Sequence, residues 1–394
     1  MESTRACKLK IAFLGSRGIP RCYSGFETLV EELSVRLTRL GHEVTVYNRI
    51  PFNKYRGRNY AGVRVIRLPT IPAKGTDTLV HSALSTSHSL LSRFDAIYYC
   101  GVGSSVFSLP ARLRGAKAIV NVDGADWERA KWGAIAKAWL RWSESMAARF
   151  ADSVVADHPI IQERYRKQFG IECALISYGA EVLESDPGMD AVRRFGLVDS
   201  GYFLYVSRLT PENRADLVME AHLASGLNMP LVVVGDAPYV SAYLKRLRGL
   251  AAHSDGRIRM IGYQFGEPYR QLSFHARAFI FPSTIEATRP VLLEQMGMGV
   301  PIIARDTRAN RHILGDAAVW FSNENPGPSL TEQIQRAASS PVDFQGKGPS
   351  ARDRIRRLYS WDHIARQYHE LFMTLTRGSE SDRNGRSRLR RPQN

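Results

Sequence analysis

The chain of 394 residues is longer than one hydrophobic core usually supports, so two domains are the expectation. Its 44% hydrophobic and 23% charged residues are those of an ordinary globular protein, and the absence of any apolar run of about 18 residues argues against a membrane span. The formal net charge of +16 calls for an anionic partner, whether a membrane surface, a diphosphate or a nucleic acid, or else marks a solvated basic surface.

The first residues, Met-Glu-Ser-Thr-Arg-Ala-Cys-Lys, lack the apolar region of a signal peptide, and Cys7, Cys22, Cys100 and Cys173 have no metal-ligand spacing. Reduced thiols in a cytoplasmic protein are expected. Residues 9–15, Leu-Lys-Ile-Ala-Phe-Leu-Gly, read as a buried parallel strand. A glycine-punctuated loop follows, then a helix from Phe26 to Leu40 with Leu29, Val30, Leu33 and Leu37 at helical spacing, a stop at Gly41 and a strand at Glu43–Asn48. That is a βαβ unit. Further strands are predicted at Val63–Leu68, Ala96–Cys100, Ala118–Val122 and Ser153–Ala156. A second αβ series runs through Phe203–Val206, Leu231–Gly235, Arg257–Ile261, Ala278–Phe281 and Pro301–Ala304. The joint is read at Ser177–Ser200, rich in Gly, Glu, Asp and Pro. The expected domains are therefore 1–180 and 181–360, each a Rossmann-like doubly wound sheet, facing across a cleft. A helix at 361–376 is expected to pack back on the first domain, and the basic stretch 377–394 to be a disordered tail.

The most informative segment is 282–306. Glu286 lies in a loop and Glu294, eight positions on, lies on the following helix. Pro290 suits the first helical position, which makes Arg289 the cap, and arginine has no side-chain oxygen for the amides behind it. The N–H groups of Val291 and Leu292 are then expected to be open at the positive end of a helix, where a phosphate can bind. Glu294 follows one turn later on the same face. Loop acid, amides and helix acid together suit a sugar nucleotide.

Other candidates lie at strand ends. Gly15-Ser-Arg-Gly-Ile-Pro-Arg-Cys-Tyr-Ser-Gly25 is neither a dinucleotide fingerprint nor a P-loop, and reads either as a long loop that holds an anion or sugar oxygen or as a tight βα turn. Arg208, in Val206-Ser-Arg-Leu-Thr-Pro-Glu-Asn-Arg214, suits a diphosphate or an ion pair with Glu212. Asp123 and Asp126 are read as catalytic candidates that orient an acceptor hydroxyl or accept its proton, or else as caps of the helix that starts there. Trp127, Trp132, Trp139 and Trp142 interleave with Arg129, Lys131, Lys137 and Arg141, as in interfacial helices or a core stripe.

With these residues assembled, the chain resembles retaining glycosyltransferases of the GT-B fold, the large family that includes sucrose and mannosyl transferases. The resemblance rests on Glu286 and Glu294, on Ser-Arg-Leu-Thr-Pro-Glu at 207–212, and on the segments at 18–28 and 122–133. The last two look like a bacterial subgroup with rhamnosyltransferases of capsule and exopolysaccharide assembly. The resemblance implies that Glu294 holds the donor ribose, Glu286 the transferred sugar, and Arg208 the leaving diphosphate with the amides of Val291 and Leu292. Gly18 and Gly25 would lie near the donor, and Asp123 and Asp126 near the acceptor. Trp132, Lys137, Trp139 and Arg141 would form a membrane or acceptor face. No metal or cofactor is implied, because cationic side chains and helix ends take the electrostatic role. Three positions depart from the family pattern: Asn213 stands where it has lysine, with Arg214 as a substitute, Ala287 where it has glycine, and no histidine appears near Asp123.

The expected activity is transfer of a sugar, by resemblance rhamnose, from a nucleotide diphosphate to a saccharide or lipid-linked acceptor at the cytoplasmic side of a membrane. Two other readings compete. A sugar-nucleotide epimerase or phosphorylase keeps the fold, although no lysine is marked as a pyridoxal carrier. A nucleic-acid-binding protein is favoured only by the charge, with no motif for it.

Overall fold

The computed structural model describes residues 8–21, 25–72, 76–122, 124, 127, 133–237, 241–340, 344 and 346–388, with side chains through Arg377. The chain divides into two compact units, one made of residues up to Tyr178 together with those from Trp361 onward, the other of Gly179–Ser360.

The first unit is an eight-stranded sheet. Its strands are β1 (Lys10–Leu14), β2 (Glu43–Ile50), β3 (Asn59–Tyr60), β4 (Val63–Pro69), β5 (Ala96–Cys100), β6 (Lys117–Val122), β7 (Ser153–Ala156) and β8 (Ala174–Leu175). They lie in the order β3-β4-β2-β1-β5-β6-β7-β8, with β3 alone antiparallel to its neighbour. The helices are α1 (Gly25–Arg39), α2 (Thr76–Ser89), α3 (Ser108–Leu113), α4 (Ala134–Phe150) and α5 (Pro159–Phe169). Helices cover both faces of a parallel sheet, which is why Ile11-Ala-Phe-Leu14 and Ala118-Ile-Val120 are apolar without alternation and fully buried.

The second unit is a six-stranded parallel sheet. Strands β9 (Phe203–Val206), β10 (Leu231–Val234), β11 (Ile258–Gly262), β12 (Ala278–Phe281), β13 (Ile302–Arg305) and β14 (Val319–Phe321) lie in the order β11-β10-β9-β12-β13-β14. Its helices are α6 (Asp190–Arg194), α7 (Ala215–Ala224), α8 (Ala242–Ala252), α9 (Gly266–Phe274), α10 (Pro290–Met298), α11 (Arg308–Leu314), α12 (Pro326–Ser339) and α13 (Lys347–Arg354). One core cluster joins Phe203, Tyr205, Val233 and Ile280 of the strands to Val218, Leu247 and Ile334 of the helices.

Much of the segment read as a joint is held inside the second unit. Gln271 accepts from the Ala191 amide at 2.7 Å and donates to the Pro187 carbonyl at 2.9 Å, while His275 contacts Asp199 at 2.8 Å and Asp186 at 3.1 Å. These long-range contacts order a stretch whose composition signals only a loop.

The last helix, α14 (Trp361–Arg388), belongs to the first unit. Ile364, Ala365, Tyr368, Phe372 and Met373 form its buried stripe. Phe372 meets Phe13 edge-on at 6.4 Å, the hydroxyls of Tyr98 and Tyr368 lie 2.9 Å apart, and Arg36 bonds Asp362 at 2.7 Å. The helical backbone runs to Arg388, past the end expected near Thr376, and so takes in residues 377–388 of the stretch read as tail. No proline interrupts the chain between Trp361 and Pro392, so helix can propagate from the packed turns. Residues 389–394 lie outside the described part.

Two fully buried histidines make stability depend on pH. Burial, aided by the charge of Arg49, lowers His81 from its ordinary 6.5 to about 4, and burial with the charge of Arg257 does the same to His222. Each ring takes up a proton near pH 6.5 when unfolded but only near 4 when folded, so the unfolded chain binds more protons in between. Stability is thus complete above about pH 6.5 and falls as pH drops toward 4. Urea unfolding at pH 7 and pH 5 should show a lower midpoint at pH 5, and His222→Gln should shrink that difference. Equal midpoints in the parent protein would contradict the assignment.

Candidate active site

In the second sheet β9 has β10 on one side and β12 on the other, so connections leave from adjacent strands in opposite directions. Open parallel sheets bind ligands in the crevice this opens at the strands' carboxyl ends. The loop after β9 carries Arg208, and the loop after β12 carries Glu286 and Arg289.

The β9 loop is stitched to its neighbours through its backbone. Ser207 N–H donates to Val234 O at 3.1 Å and Leu209 N–H to Asp236 O at 3.0 Å. The approach is so close that a side chain at Gly235 would overlap the Ser207 carbonyl, and Gly235 has φ +135°, which favours glycine. Arg208 is half-buried at the head of this loop. Asn213, 3% exposed, ties the loop together: its Nδ2 donates to Arg208 O at 2.8 Å and Thr210 Oγ1 at 3.0 Å, and its carbonyl accepts from Tyr205 Oη at 2.8 Å. Arg214 follows in the left-handed region (φ 54°) as the cap of α7, its Nε 3.3 Å from Asp216 Oδ1. An arginine in that conformation is strained, a feature that clusters at functional sites.

Across the crevice, Arg289 caps α10 in extended conformation without a side-chain cap bond. The guanidinium instead reaches back, its Nη2 donating to Asn213 Oδ1 at 3.0 Å. Val291 N–H, at the second helical position, precedes the first intrahelical bond. Leu292 N–H does not remain open as expected, because it donates to Arg289 O at 2.9 Å. The first turn closes with i to i+3 geometry, which consumes one of the two amides. One turn along, Glu294 accepts from Tyr269 Oη at 2.9 Å. Tyr269 also receives Gln295 Nε2 at 3.0 Å, and the same nitrogen donates to Ser273 Oγ at 2.8 Å. Burial, then the Glu294 charge, pushes the Tyr269 phenol well above its ordinary range, so it stays a donor that fixes the carboxylate. Glu286 is exposed, whereas Ala287 and Thr288 beside it are buried.

Two further features border the crevice. Arg305, at the end of β13, is 8% exposed and donates to Asn323 Oδ1 at 2.8 Å; burial, then the charge of Arg214, lowers its pKa. Just past β11, Tyr263 and Phe265 stack at 5.8 Å with an interplanar angle of 19°, exposed by 42% and 66%.

The comparisons with known proteins fit this geometry. Residues 200–340 match the family model described as glycosyl transferases group 1, and residues 24–179 match that of a glycosyl transferase 4-like domain. The chain has the GT-B fold, and each of its two units matches a glycosyl transferase domain. Sucrose-phosphate synthase from Thermosynechococcus elongatus superposes with a TM-score of 0.78, covering 94% of this chain and 100% of that one at 19% identity. HepE of Anabaena, solved with UDP-glucose, gives 0.74 over 93% and 100% at 17% identity. O-antigen chain mannosyltransferase B of Escherichia coli is 26% identical over 186 residues, 45% of this chain and 47% of that protein. The matches span less than two thirds of the curated relatives.

In the first unit, the loop after β1 has its own anions. Glu27 and Glu31 of α1 accept the amides of Arg17 at 2.8 Å and Arg21 at 2.5 Å, so two amides of the loop read as holding an anion or sugar oxygen are committed within the unit. Ile19 and Asn48 exchange a pair of bonds, 3.0 and 2.6 Å, beside Gly18, where φ is +99° and a side chain would overlap Asn48. Gly25 is the first residue of α1. Asp123, Asp126 and Trp132 lie outside the described residues. Helix α4 divides the tryptophan segment. Leu140, Ser143, Glu144 and Ala147 are buried, Lys137 and Trp139 are half-buried, and Arg141 is exposed with Ile135 (88%) and Trp142 (46%). Trp127 donates to Glu144 at 3.1 Å, and Arg141 lies 4.3 Å over its ring. Among the described residues no helix is long and apolar enough to cross a membrane.

Tyr269, Arg305 and the Tyr263–Phe265 pair escaped the sequence reading. Only the last had a local signal, two aromatics directly after the glycine that ends a strand. The Tyr269–Glu294 bond, being to a charged acceptor, should contribute about 1.5–3 kcal/mol. Tyr269→Phe is expected to lower urea-unfolding stability by that order. No change would show that the carboxylate is held by other groups.

Proposed function

We propose that this protein is a glycosyltransferase that moves a hexose from a nucleotide-diphosphate sugar to a saccharide or lipid-linked acceptor, with retention of configuration. What supports this reading is that the β9 loop, which carries Arg208, is tied through Asn213 and Arg289 to the start of α10, the helix that bears the Val291 amide and the oriented Glu294. Arg208 and the positive end of α10 receive the diphosphate. Glu294, pinned by Tyr269, accepts the ribose hydroxyls, and Glu286 the hydroxyls of the sugar. Tyr263 and Phe265 offer the base an aromatic face. HepE, of the same fold, holds UDP-glucose.

The reaction balances without a protein base. The bond from the anomeric carbon to the diphosphate breaks, the acceptor oxygen bonds that carbon from the same face, and the acceptor proton passes to the departing phosphate. Stabilising charge on the leaving diphosphate is the main catalytic contribution. Asp123 and Asp126 are assigned to orienting the acceptor, and Gly18 and Gly25 to shaping the first unit's loop. The resemblance to a rhamnosyltransferase subgroup supports rhamnose as the sugar and capsule or exopolysaccharide as the product.

Glu294→Ala and Arg208→Ala should each reduce transfer by about 100-fold or more with the circular dichroism spectrum unchanged, the arginine through loss of one charge-stabilising donor and the glutamate through loss of the acceptor for the ribose hydroxyls. Near-normal turnover in either would sink the site. The anomeric configuration of the product, read by NMR, decides between retention and inversion. Interconversion of the donor sugar without acceptor would favour an epimerase.

The exposed Ile135 and Trp142 on α4, beside Lys137 and Arg141, suit peripheral contact with an anionic membrane. Ile135→Ser with Trp142→Ser should lower cosedimentation with phosphatidylglycerol vesicles several-fold. Unchanged binding would remove α4 from any membrane face.

A further inference from the structure

We infer that Arg289 is a donor-binding cation of this site, a second one beside Arg208, and that Asn213 is the positioning residue that delivers it. The inference rests on the proposed nucleotide-sugar reading and extends it to residues that reading does not require.

Three observations lead there. First, Asn213 cannot turn. It is 3% exposed, its Nδ2 is committed to Arg208 O and Thr210 Oγ1, and its carbonyl holds the Tyr205 hydroxyl. Its Oδ1 therefore points one way, and Arg289 Nη2 is docked on it at 3.0 Å. A neutral amide oxygen orients the guanidinium without cancelling its charge, whereas a carboxylate there would do both.

Second, helix stability does not select an arginine here. At the cap of α10 it supplies no oxygen to the first turn, and the structure shows no side-chain cap bond. Its charge also lies at the positive end of the helix dipole, the unfavourable end for a cation. An anion lying between guanidinium and helix end would turn both costs into attraction.

Third, the docked guanidinium joins other cations gathered at the same edge of the sheet. Asn213 links it to the loop that carries Arg208 and Arg214, and Arg214 is near enough to Arg305 for their charges to repel. A diphosphate spreads its charge over several oxygens and matches Arg208 and Arg289, since a guanidinium can bind two of them in parallel, while Arg214, held by Asp216, and Arg305, held by Asn323, add positive charge nearby.

A purely structural role is the competing explanation, with Arg289 stapling two loops together through Asn213. Charge and staple separate in two substitutions: Arg289→Lys keeps the charge, while Arg289→Gln keeps a donor for Asn213 without it. Calorimetry at 50 and 300 mM salt would measure the tightest binder among UDP, dTDP, GDP and ADP, and its matching monophosphate, alongside thermal unfolding. Arg289→Gln is expected to weaken the diphosphate at least tenfold and flatten its salt dependence, with a smaller loss for the monophosphate. Arg289→Lys should fall between Gln and the parent. Parent-like affinity in Arg289→Gln, or equal losses in the two variants, would overturn the inference while leaving the site intact. Failure of the parent protein to bind any of the four diphosphates would overturn the proposed function itself, and this inference with it.

Discussion

The pairing of β9 with β12 is the constraint on which the candidate site depends. Strands that are neighbours in the sheet are separated by more than seventy residues of chain, and the connections from their carboxyl ends diverge. Where they diverge, two loops from distant parts of the sequence come within side-chain reach, Arg289 of one meeting Asn213 of the other. Phe203, Leu204, Ala278 and Phe279 are fully buried along this seam, so the geometry is held by the best-packed part of the unit.

Onto that rigid edge the chain builds polar networks whose members hold one another. Asn213 satisfies both of its amide donors within its own loop and turns its oxygen outward. Tyr269 anchors Glu294, and Gln295 anchors Tyr269. Each network lies in partly excluded surroundings, where a fully satisfied set is stiff and a partly satisfied one is costly. The outcome is an edge rich in guanidinium groups, with one carboxylate held in a fixed direction.

The first unit uses the same fold differently. Its β1 loop is closed on itself: α1 supplies carboxylates to the loop amides, and Asn48 grips Ile19. Glu144, fully buried, accepts from Arg164 at 2.8 Å and from the Trp127 indole, so the tryptophan-bearing region is fastened to the unit by a paired charge. Removing one partner of such a pair is far more costly than the pair is stabilising. The part of α4 that is not fastened, around Ile135 and Trp142, is what remains exposed.

The longer strands of both sheets, the helices α1, α10 and α14, and the cap at Arg289 were legible in sequence because they depend on short-range physics: apolar runs, helical spacing, glycine stops and the geometry of proline. So was the pairing of a loop acid with a helix acid at 286 and 294. The short strands β3, β8 and β14 were not, since two or three residues carry no periodicity and gain their place only by pairing. Local propensity also left Leu292 with an open amide that the first turn closed, and left the 177–200 stretch as a bare joint that Gln271 and His275 order from eighty residues away. The partners of Glu294 and Arg289 belong to the same class. Tyr269 lies 25 positions before Glu294, and Asn213 lies 76 before Arg289, separations at which no sequence pattern says who meets whom. Sequence determined which groups exist and on which element each one rides; only the packed sheet, by fixing which strand ends are neighbours, decided that the Asn213 amide would hold the Arg289 guanidinium at the carboxyl edge of β9 and β12.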